Sequence, residues 1–186
     1  KSTLLYLLGS LEDPDSGRVE LHNGEKTYSF NKLNKDEVAS LRNNSIGFVF
    51  QFHHLLPEFD TFENVMMPAF IAGVPYPEAK KKAEELLDRV GIYNRRGHKP
   101  MELSGGEQQR AAIARALIND PIIVFADEPT GNLDTKNSNQ VLDLIQQLRR
   151  EYSLTFVVAT HSNDVAGIGE RILIMGDGII KDEVKK

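Results

Sequence analysis

The spacing of apolar residues along the first part of the chain changes from helical to alternating. Leucines at helical intervals are followed by a turn-forming segment over 13–17, and the next apolar residues alternate with polar ones, as in a half-buried strand. In chain order, this pattern predicts a helix striped by Leu4, Leu5, Leu7, Leu8 and Leu11, a strand containing Val19 and Leu21, a surface helix over 34–42 and a buried strand over 46–50.

From residue 57 to residue 103, apolar residues recur mainly at helical spacing, which predicts a helical subdomain in this part of the chain. Thr61 begins a predicted capped turn. The segment 79–90 is amphipathic, and its inward positions are Leu86, Leu87 and Val90.

After residue 104, helical and strand patterns alternate. Two apolar strands over 122–126 and 155–160 are separated by a predicted helix over about 136–151, and a hairpin over 171–180 follows. Because such alternation is typical of a parallel sheet with helices on its faces, the predicted fold class is α/β.

The segment Leu103–Arg110 predicts a helix start of unusual composition. Ser104 and Glu107 have the spacing of a capping box. Gly105 and Gly106 occupy the first turn, although glycine costs about 1 kcal/mol relative to alanine inside a helix. Because glycine has no Cβ, a phosphate can approach the N–H groups at this helix start closely, so the segment predicts an anion site. An ordinary capped helix with a glycine-rich start is the alternative.

Polar residues follow three of the predicted strands. Asp127 and Glu128 come after the apolar run 122–126, Gln51 follows the strand over 46–50, and His161 follows the strand over 155–160. All four therefore lie at the edge where open α/β sheets bind ligands. Taken alone, the carboxylates could cap a turn, the glutamine could be a surface residue and the histidine a hydrogen-bonded structural one.

Composition narrows the classes of function. The 186 residues carry a net charge of −5, which gives no overall basic surface for nucleic acid, and they include no cysteine, which excludes disulfides. The longest largely apolar stretch covers residues 65–74 and is interrupted by Pro68, whereas a membrane span needs ~20 apolar residues. The first residues lack a secretory signal pattern. We expect a cytoplasmic protein whose main partner is not nucleic acid.

The segment Leu103–Arg110 resembles the signature motif of ATP-binding cassette (ABC) ATPases, and the other motifs follow in that family's order over essentially the whole chain. Asp127 and Glu128 resemble its Walker B pair. Lys1 and Ser2 resemble the end of a phosphate-binding loop, G-x-x-x-x-G-K-[ST], although an accidental N-terminus is the alternative for so short a match.

The resemblance implies ATP and Mg²⁺ as cofactors and a role for each matching residue. The implied catalytic residues are a general base, a γ-phosphate sensor and a glutamine that meets the metal or the attacking water: Glu128, His161 and Gln51. The implied metal contacts are Ser2, Gln51 and Asp127. The implied nucleotide contacts are Lys1, Ser2 and Thr3 in one subunit and Ser104, Gly105, Gly106, Glu107 and the D-loop residue Asp134 in the signature half of the site.

The implied architecture is a single P-loop NTPase domain, with a RecA-like parallel core over 1–56 and 104–186 and an inserted helical subdomain over 57–103. It would work as a head-to-tail homodimer on integral membrane subunits, at the cytoplasmic face of the inner membrane. The family's opening strands and P-loop glycines are missing before Lys1, so we expect the chain as written to bind nucleotide weakly.

The segments 51–57, 63–65 and 127–134 resemble the branch of the family that contains lipoprotein-releasing, macrolide-export and cell-division ATPases. The run Phe-His-His-Leu-Leu-Pro within the first segment favours the lipoprotein-releasing type. The alternatives are the two other transporter types, a non-transport ABC ATPase and a regulatory subunit without catalysis.

Overall fold

The computed structural model describes residues 1–24 and 26–186. In chain order, its helices and strands are α1 (Ser2–Leu8), β1 (Glu20–Asn23), β2 (Lys26–Ser29), α2 (Lys35–Ser45), β3 (Ile46–Val49), α3 (Thr61–Ile71), α4 (Tyr76–Arg89), α5 (Gly105–Leu117), β4 (Ile123–Asp127), α6 (Thr135–Glu151), β5 (Thr155–Ala159), α7 (Asn163–Gly167), β6 (Arg171–Gly176) and β7 (Ile179–Lys185).

A three-stranded parallel sheet in the order β3-β4-β5 lies at the centre of the fold, which confirms the predicted parallel sheet. The side chains of the middle strand, β4, alternate between two apolar clusters. Val124 and Ala126 belong to the larger cluster, with α5 and α6, and Phe125 belongs to a smaller one, with Leu5 of α1. Both faces of β4 are covered, which explains why its sequence is continuously apolar.

Helix α5 approaches β3 closely because a glycine occupies the contact. A Cβ atom on Gly47 would lie 2.6 Å from the carbonyl oxygen of Ala116, near the end of α5. A larger residue would push the helix away from the sheet. This contact therefore helps to set the position of α5, whose first residues carry the signature motif.

Capping boxes begin three helices: Asn34 with Glu37 in α2, Asp60 with Glu63 in α3 and Ser104 with Glu107 in α5. The box predicted at Ser104 is confirmed. In α3, Thr61 is the first helical residue, but the cap is Asp60, which accepts a hydrogen bond from the Glu63 N–H at 2.8 Å. The Thr61 hydroxyl instead donates to the carbonyl of His98 at 2.8 Å.

Helices α3 and α4 pack on each other and on α5, and the predicted inward residues of α4 are buried: Leu86, Leu87 and Val90. Two antiparallel hairpins, β1-β2 and β6-β7, complete the sheets. The second hairpin is longer than predicted because β7 is exposed along its whole length, so no apolar pattern marks it. None of the helices in residues 1–24 and 26–186 combines the length and apolarity that a membrane span requires.

Candidate active site

The predicted polar residues meet at one edge of the sheet. The three central strands are parallel and adjacent, so their carboxyl ends lie side by side. Gln51 follows β3 closely, Asp127 ends β4 and is followed by Glu128, and His161 comes two residues after β5. The structure thus brings together, at the ligand-binding edge of an α/β sheet, residues that the sequence separates by up to 110 positions.

The start of α1 reaches the same edge. The Lys1 ammonium donates a hydrogen bond to the carbonyl of Thr160 and lies 3.4 Å from Nδ1 of His161. The Ser2 hydroxyl donates to Oδ1 of Asp127 at 3.0 Å. A hydroxyl therefore contacts the Walker B aspartate and a cation lies at the same sheet edge, where a phosphate group would need them.

Glu128 has an uncommon backbone conformation, with φ at 44°. The left-handed region costs about 1–2 kcal/mol for a residue with a Cβ, and surrounding bonds hold it here. The Glu128 N–H donates to the carbonyl of Ala159 at 2.9 Å, and the carboxylate accepts from the Thr160 hydroxyl at 3.1 Å. Its side chain is 20% exposed and lies 3.9 Å from Nε2 of His161, which is 84% exposed. A largely buried carboxylate is thus directed toward an open histidine.

Asp127 is 9% exposed and accepts hydrogen bonds from two hydroxyl groups of α1. Ser2 contacts one carboxylate oxygen, and the Tyr6 hydroxyl donates to the other at 3.3 Å. Burial, and then the charge of Asp127, raise the pKa of the Tyr6 phenol, so it remains a donor.

The residues around Asp127 fit a Mg²⁺ ion. Mg²⁺ prefers oxygen ligands and is usually held by one or two carboxylates together with phosphate oxygens and waters. Asp127 supplies a carboxylate and Ser2 supplies a hydroxyl in contact with it. Within residues 1–24 and 26–186, no group of three or more histidine, aspartate or glutamate side chains could hold a metal alone, so the remaining ligands would come from phosphate and water.

Gln51 is tied to the segment that follows Glu128. Its Nε2 donates to Oδ1 of Asn132 at 3.1 Å, and Nδ2 of Asn132 donates back to the Gln51 carbonyl at 3.1 Å. A Cβ atom on Gly131 would lie 2.9 Å from Nε2 of Gln51, so only glycine allows this approach without a shift. The carboxyl ends of β3 and β4 are thereby linked through side chains.

The signature segment satisfies most of its own polar groups. The Ser104 hydroxyl and N–H both donate to Oε2 of Glu107 at 2.8 Å, and the Nε of Arg95 donates to the other carboxylate oxygen at 2.8 Å. Burial opposes ionisation of Glu107, but these hydrogen bonds outweigh it and lower the Glu107 pKa.

The two signature glycines have a packing role that the sequence argument did not include. Gly106 is buried, and a Cβ on it would lie 2.8 Å from Oδ1 of Asn137; a Cβ on Gly105 would lie 3.3 Å from Leu133. Phosphate access is therefore not the only reason for glycine at these positions. Asp134 is the N-cap of α6, and hydrogen bonds from the Asn137 N–H and side chain lower its pKa.

Among the described residues, no hydrogen bond joins the signature segment to Lys1, Ser2 or His161. Thr3 is exposed on the first turn of α1, beside Ser2. The chain therefore presents two separate sets of candidate nucleotide contacts, one at the sheet edge and one at the start of α5.

The sequence profile of the ABC transporter family matches residues 1–131, which include the start of α1, the signature and the Walker B carboxylates. The chain belongs to the ABC transporter family. It is an ABC ATPase domain with the P-loop NTPase fold, and ATP is its nucleotide.

Individual relatives agree with the family assignment. The chain is 49% identical to the lipoprotein-releasing system ATP-binding protein LolD of Cytophaga hutchinsonii, over 97% of this chain and 80% of that protein. It is also 49% identical to the protein of the same name from Saccharophagus degradans, over 98% and 78% of the two chains. The dimeric post-hydrolysis structure of the ATP-binding cassette MJ0796, bound to ADP and Pi, superimposes with a TM-score of 0.87 at 40% identity, covering 99% of this chain and 79% of that one.

Three contacts of this ABC ATPase site were not predicted from the sequence. They are the hydrogen bonds of Tyr6 with Asp127, of Thr160 with Glu128 and of Asn132 with Gln51. One signal for Tyr6 was present, since it lies four residues after Ser2 and helical spacing puts both on one face of α1. Thr160 and Asn132 become recognisable only when the strand ends are placed side by side.

Proposed function

We propose that this chain is the ATP-hydrolysing motor of a membrane transporter of the lipoprotein-releasing type. The observation that carries the proposal is the meeting of Lys1, Ser2, Asp127, Glu128 and His161 at one sheet edge. The two LolD relatives, at 49% identity over almost the whole chain, supply the transporter type.

In the proposed reaction, Glu128 is the general base for the attacking water. Its carboxylate is oriented by the Thr160 hydroxyl, and its surroundings keep it largely out of solvent. His161, which is largely exposed beside Glu128, would contact the γ-phosphate, and Gln51 would contact the water or the metal through its amide oxygen. A general base contributes about 10²- to 10⁴-fold to such a reaction.

Lys1 would bind the β- and γ-phosphates. Its ammonium would then exchange its hydrogen bond with the Thr160 carbonyl for contacts with the nucleotide. Thr3 lies on the same helical turn and would face the neighbouring phosphates. When bound, Mg²⁺ would neutralise phosphate charge, and the residues that would hold it are Ser2, Asp127 and Gln51.

We further propose that the site is completed by a second copy of the chain in a head-to-tail dimer. Since the signature segment and the sheet edge share no hydrogen bond within the described chain, a signature from a partner subunit can cover the phosphates bound at the edge. Ser104, Gly105, Gly106, Glu107 and Asp134 belong to that second half. The domain would comprise a core over 1–56 and 104–186 and a helical subdomain over 57–103.

In this role the chain would lie at the cytoplasmic face of the inner membrane, bound to integral membrane subunits and coupling hydrolysis to transport. A groove of about 500 Å³ between α2, α3, β3 and α5 offers a surface for such a subunit. Its rim includes Ile71, which is 69% exposed, and the exposed Phe52, 70%, lies two residues before the groove residue His54. Exposed apolar side chains of this kind are typical of interaction sites.

Depletion of the protein in its native organism tests the transporter type. We expect lipoproteins to accumulate in the inner-membrane fraction, and a plasmid carrying the wild-type gene to restore their distribution. Expression of the Glu128→Gln variant is the matched control and should fail to restore it. Unchanged lipoprotein distribution together with increased macrolide sensitivity would instead indicate a transporter of the macrolide-export type.

A further inference from the structure

The chain turns sharply just after Gln51. His53 and His54 both adopt left-handed backbone conformations, with φ at 52° and 48°. This region is unfavourable for residues with a Cβ, and two such residues in succession persist only where the surroundings hold them. The His53 N–H donates to the Phe50 carbonyl at 3.2 Å, and the His54 ring lies edge-on to the Phe50 ring, with centroids 5.0 Å apart.

Arg115, near the end of α5, holds this turn from outside. Its Nη1 donates to the His54 carbonyl at 2.6 Å and its Nη2 to the His53 carbonyl at 2.7 Å. The planar guanidinium presents two donors in fixed geometry and can bind both carbonyls together, which a lysine ammonium cannot match.

The surroundings of Arg115 show which groups its charge contacts. Burial lowers the pKa of Arg115 to about 10, so burial of the charge is costly, yet the group stays protonated at neutral pH. Among the ion pairs of the described residues, none includes Arg115. A partly buried cation thus donates from both of its terminal nitrogens to main-chain carbonyls of a single turn.

We propose that Arg115 is a positioning residue for Gln51. By fixing the carbonyls of His53 and His54, it fixes the turn that begins at Gln51 and so holds the glutamine backbone where its amide can bond Asn132 at the sheet edge. The inference rests on the proposed function, in which that amide contacts the attacking water or the metal. Because α5 begins after Ser104 and carries Arg115 near its end, one helix connects the signature segment with the turn that follows Gln51.

The test is a double-mutant cycle on the protein expressed from its full gene, using Arg115→Lys and Gln51→Ala. Lysine keeps the positive charge but cannot donate to the His53 and His54 carbonyls at the same time in the fixed geometry of a guanidinium. We expect Arg115→Lys to lower kcat about tenfold while the KM for ATP changes less than twofold. In the Gln51→Ala background, the same substitution should change kcat less than twofold, because the group through which it acts is gone.

Arg96→Lys is the matched control, since the Nη1 of Arg96 also donates to a main-chain carbonyl, that of Tyr93, at 3.2 Å, and Arg96 lies outside both halves of the proposed site. It should leave kcat within twofold in either background. If Arg115→Lys is not recovered folded, as judged by its melting temperature, Arg115→Gln enters the same cycle. Equal losses from Arg115→Lys with and without Gln51, or an unchanged kcat, would overturn the proposal.

A second measurement is independent of hydrolysis. Hydrogen exchange of the amides at 52–54, without nucleotide, should be at least fivefold faster in Arg115→Lys than in the wild type and unchanged in Arg96→Lys. Unchanged exchange in Arg115→Lys would contradict the positioning role. A wild-type protein that shows slow exchange at this turn but no ATP hydrolysis would instead reject the proposed function and leave the holding of the turn by Arg115 intact.

Discussion

The sheet edge and the signature segment, the two halves of the proposed nucleotide site, differ in how their polar groups are satisfied. At the edge, the polar partners of the Lys1 ammonium among the described residues are the Thr160 carbonyl and Nδ1 of His161, and Glu128 is held in a strained conformation. At the signature, Ser104 and Glu107 bond each other, and Arg95 closes the network. The edge can exchange its contacts for a phosphate, whereas the side chains of the signature already bond one another.

This difference indicates a division of roles. Backbone strain and weakly paired charges are typical of groups that act on a ligand, because contacts with the bound ligand offset the free energy that they cost. The signature contributes a rigid helix start whose first N–H groups have no partner within the helix. We therefore expect substitutions at the edge to affect chemistry, and substitutions at the signature to affect dimerisation and stability.

The largest expected effect is at Glu128. Glu128→Gln should lower turnover about 10²-fold or more and retain ATP binding, because the amide cannot act as a general base. Steady-state hydrolysis and calorimetric titration with ATP measure the two quantities. Glu85→Gln, on the exposed face of α4, is the control and should leave both unchanged. Turnover of Glu128→Gln within threefold of the wild type would reject the assignment.

The signature half is tested by dimerisation. In a Glu128→Gln background, ATP should drive the chains into dimers, and Ser104→Arg should abolish this by steric intrusion at the interface. Light scattering with and without ATP is the measurement. Asn34→Arg disrupts the corresponding cap of α2 and serves as the control, which should still dimerise. A protein that stays monomeric in ATP before any signature substitution would count against the head-to-tail arrangement.

Gly106→Ala separates packing from phosphate access at the signature. The new Cβ would lie 2.8 Å from Oδ1 of Asn137, so we expect a loss of about 1–3 kcal/mol in the free energy of unfolding. Urea titration without nucleotide measures it. Gly97→Ala, where nothing lies within 4 Å, is the control and should change stability little. Equal stability of both variants would leave phosphate access as the reason for glycine at 106.

The smallest expected effect is at Tyr6. Tyr6→Phe removes the hydroxyl that donates to Asp127 while keeping the ring, so we expect the Mg²⁺ concentration for half-maximal hydrolysis to rise about threefold to tenfold. Mg²⁺-dependent protection of ATP-bound protein against proteolysis gives a readout apart from activity. Tyr152→Phe, on the surface after α6, is the control. An unchanged Mg²⁺ requirement would show that Ser2 alone orients the aspartate.

Local features were predictable because they depend on residues a few positions apart. The capping box at Ser104 and the inward face of α4 follow from spacing alone and are confirmed. The sequence predicts a capped turn that begins at Thr61, and α3 does begin there, but its cap is Asp60, because threonine and aspartate are both good N-caps and their side chains find different partners only after folding. The strand β2 and the short helix α7 were not predicted, since they carry little apolar pattern.

The sequence by itself determined the family, the parallel α/β class and the motif residues. Helix and strand periods and motif spacings can be read from residues that are close together in the chain. The tertiary structure alone decided which of these residues meet. It brought Tyr6 to Asp127 across 121 positions, Lys1 to Thr160 across 159 and Arg115 to the turn after Gln51. Such contacts depend on how closely helices pack on the sheet, as Gly47 permits for α5, and long-range packing is not encoded in the spacing of neighbouring residues.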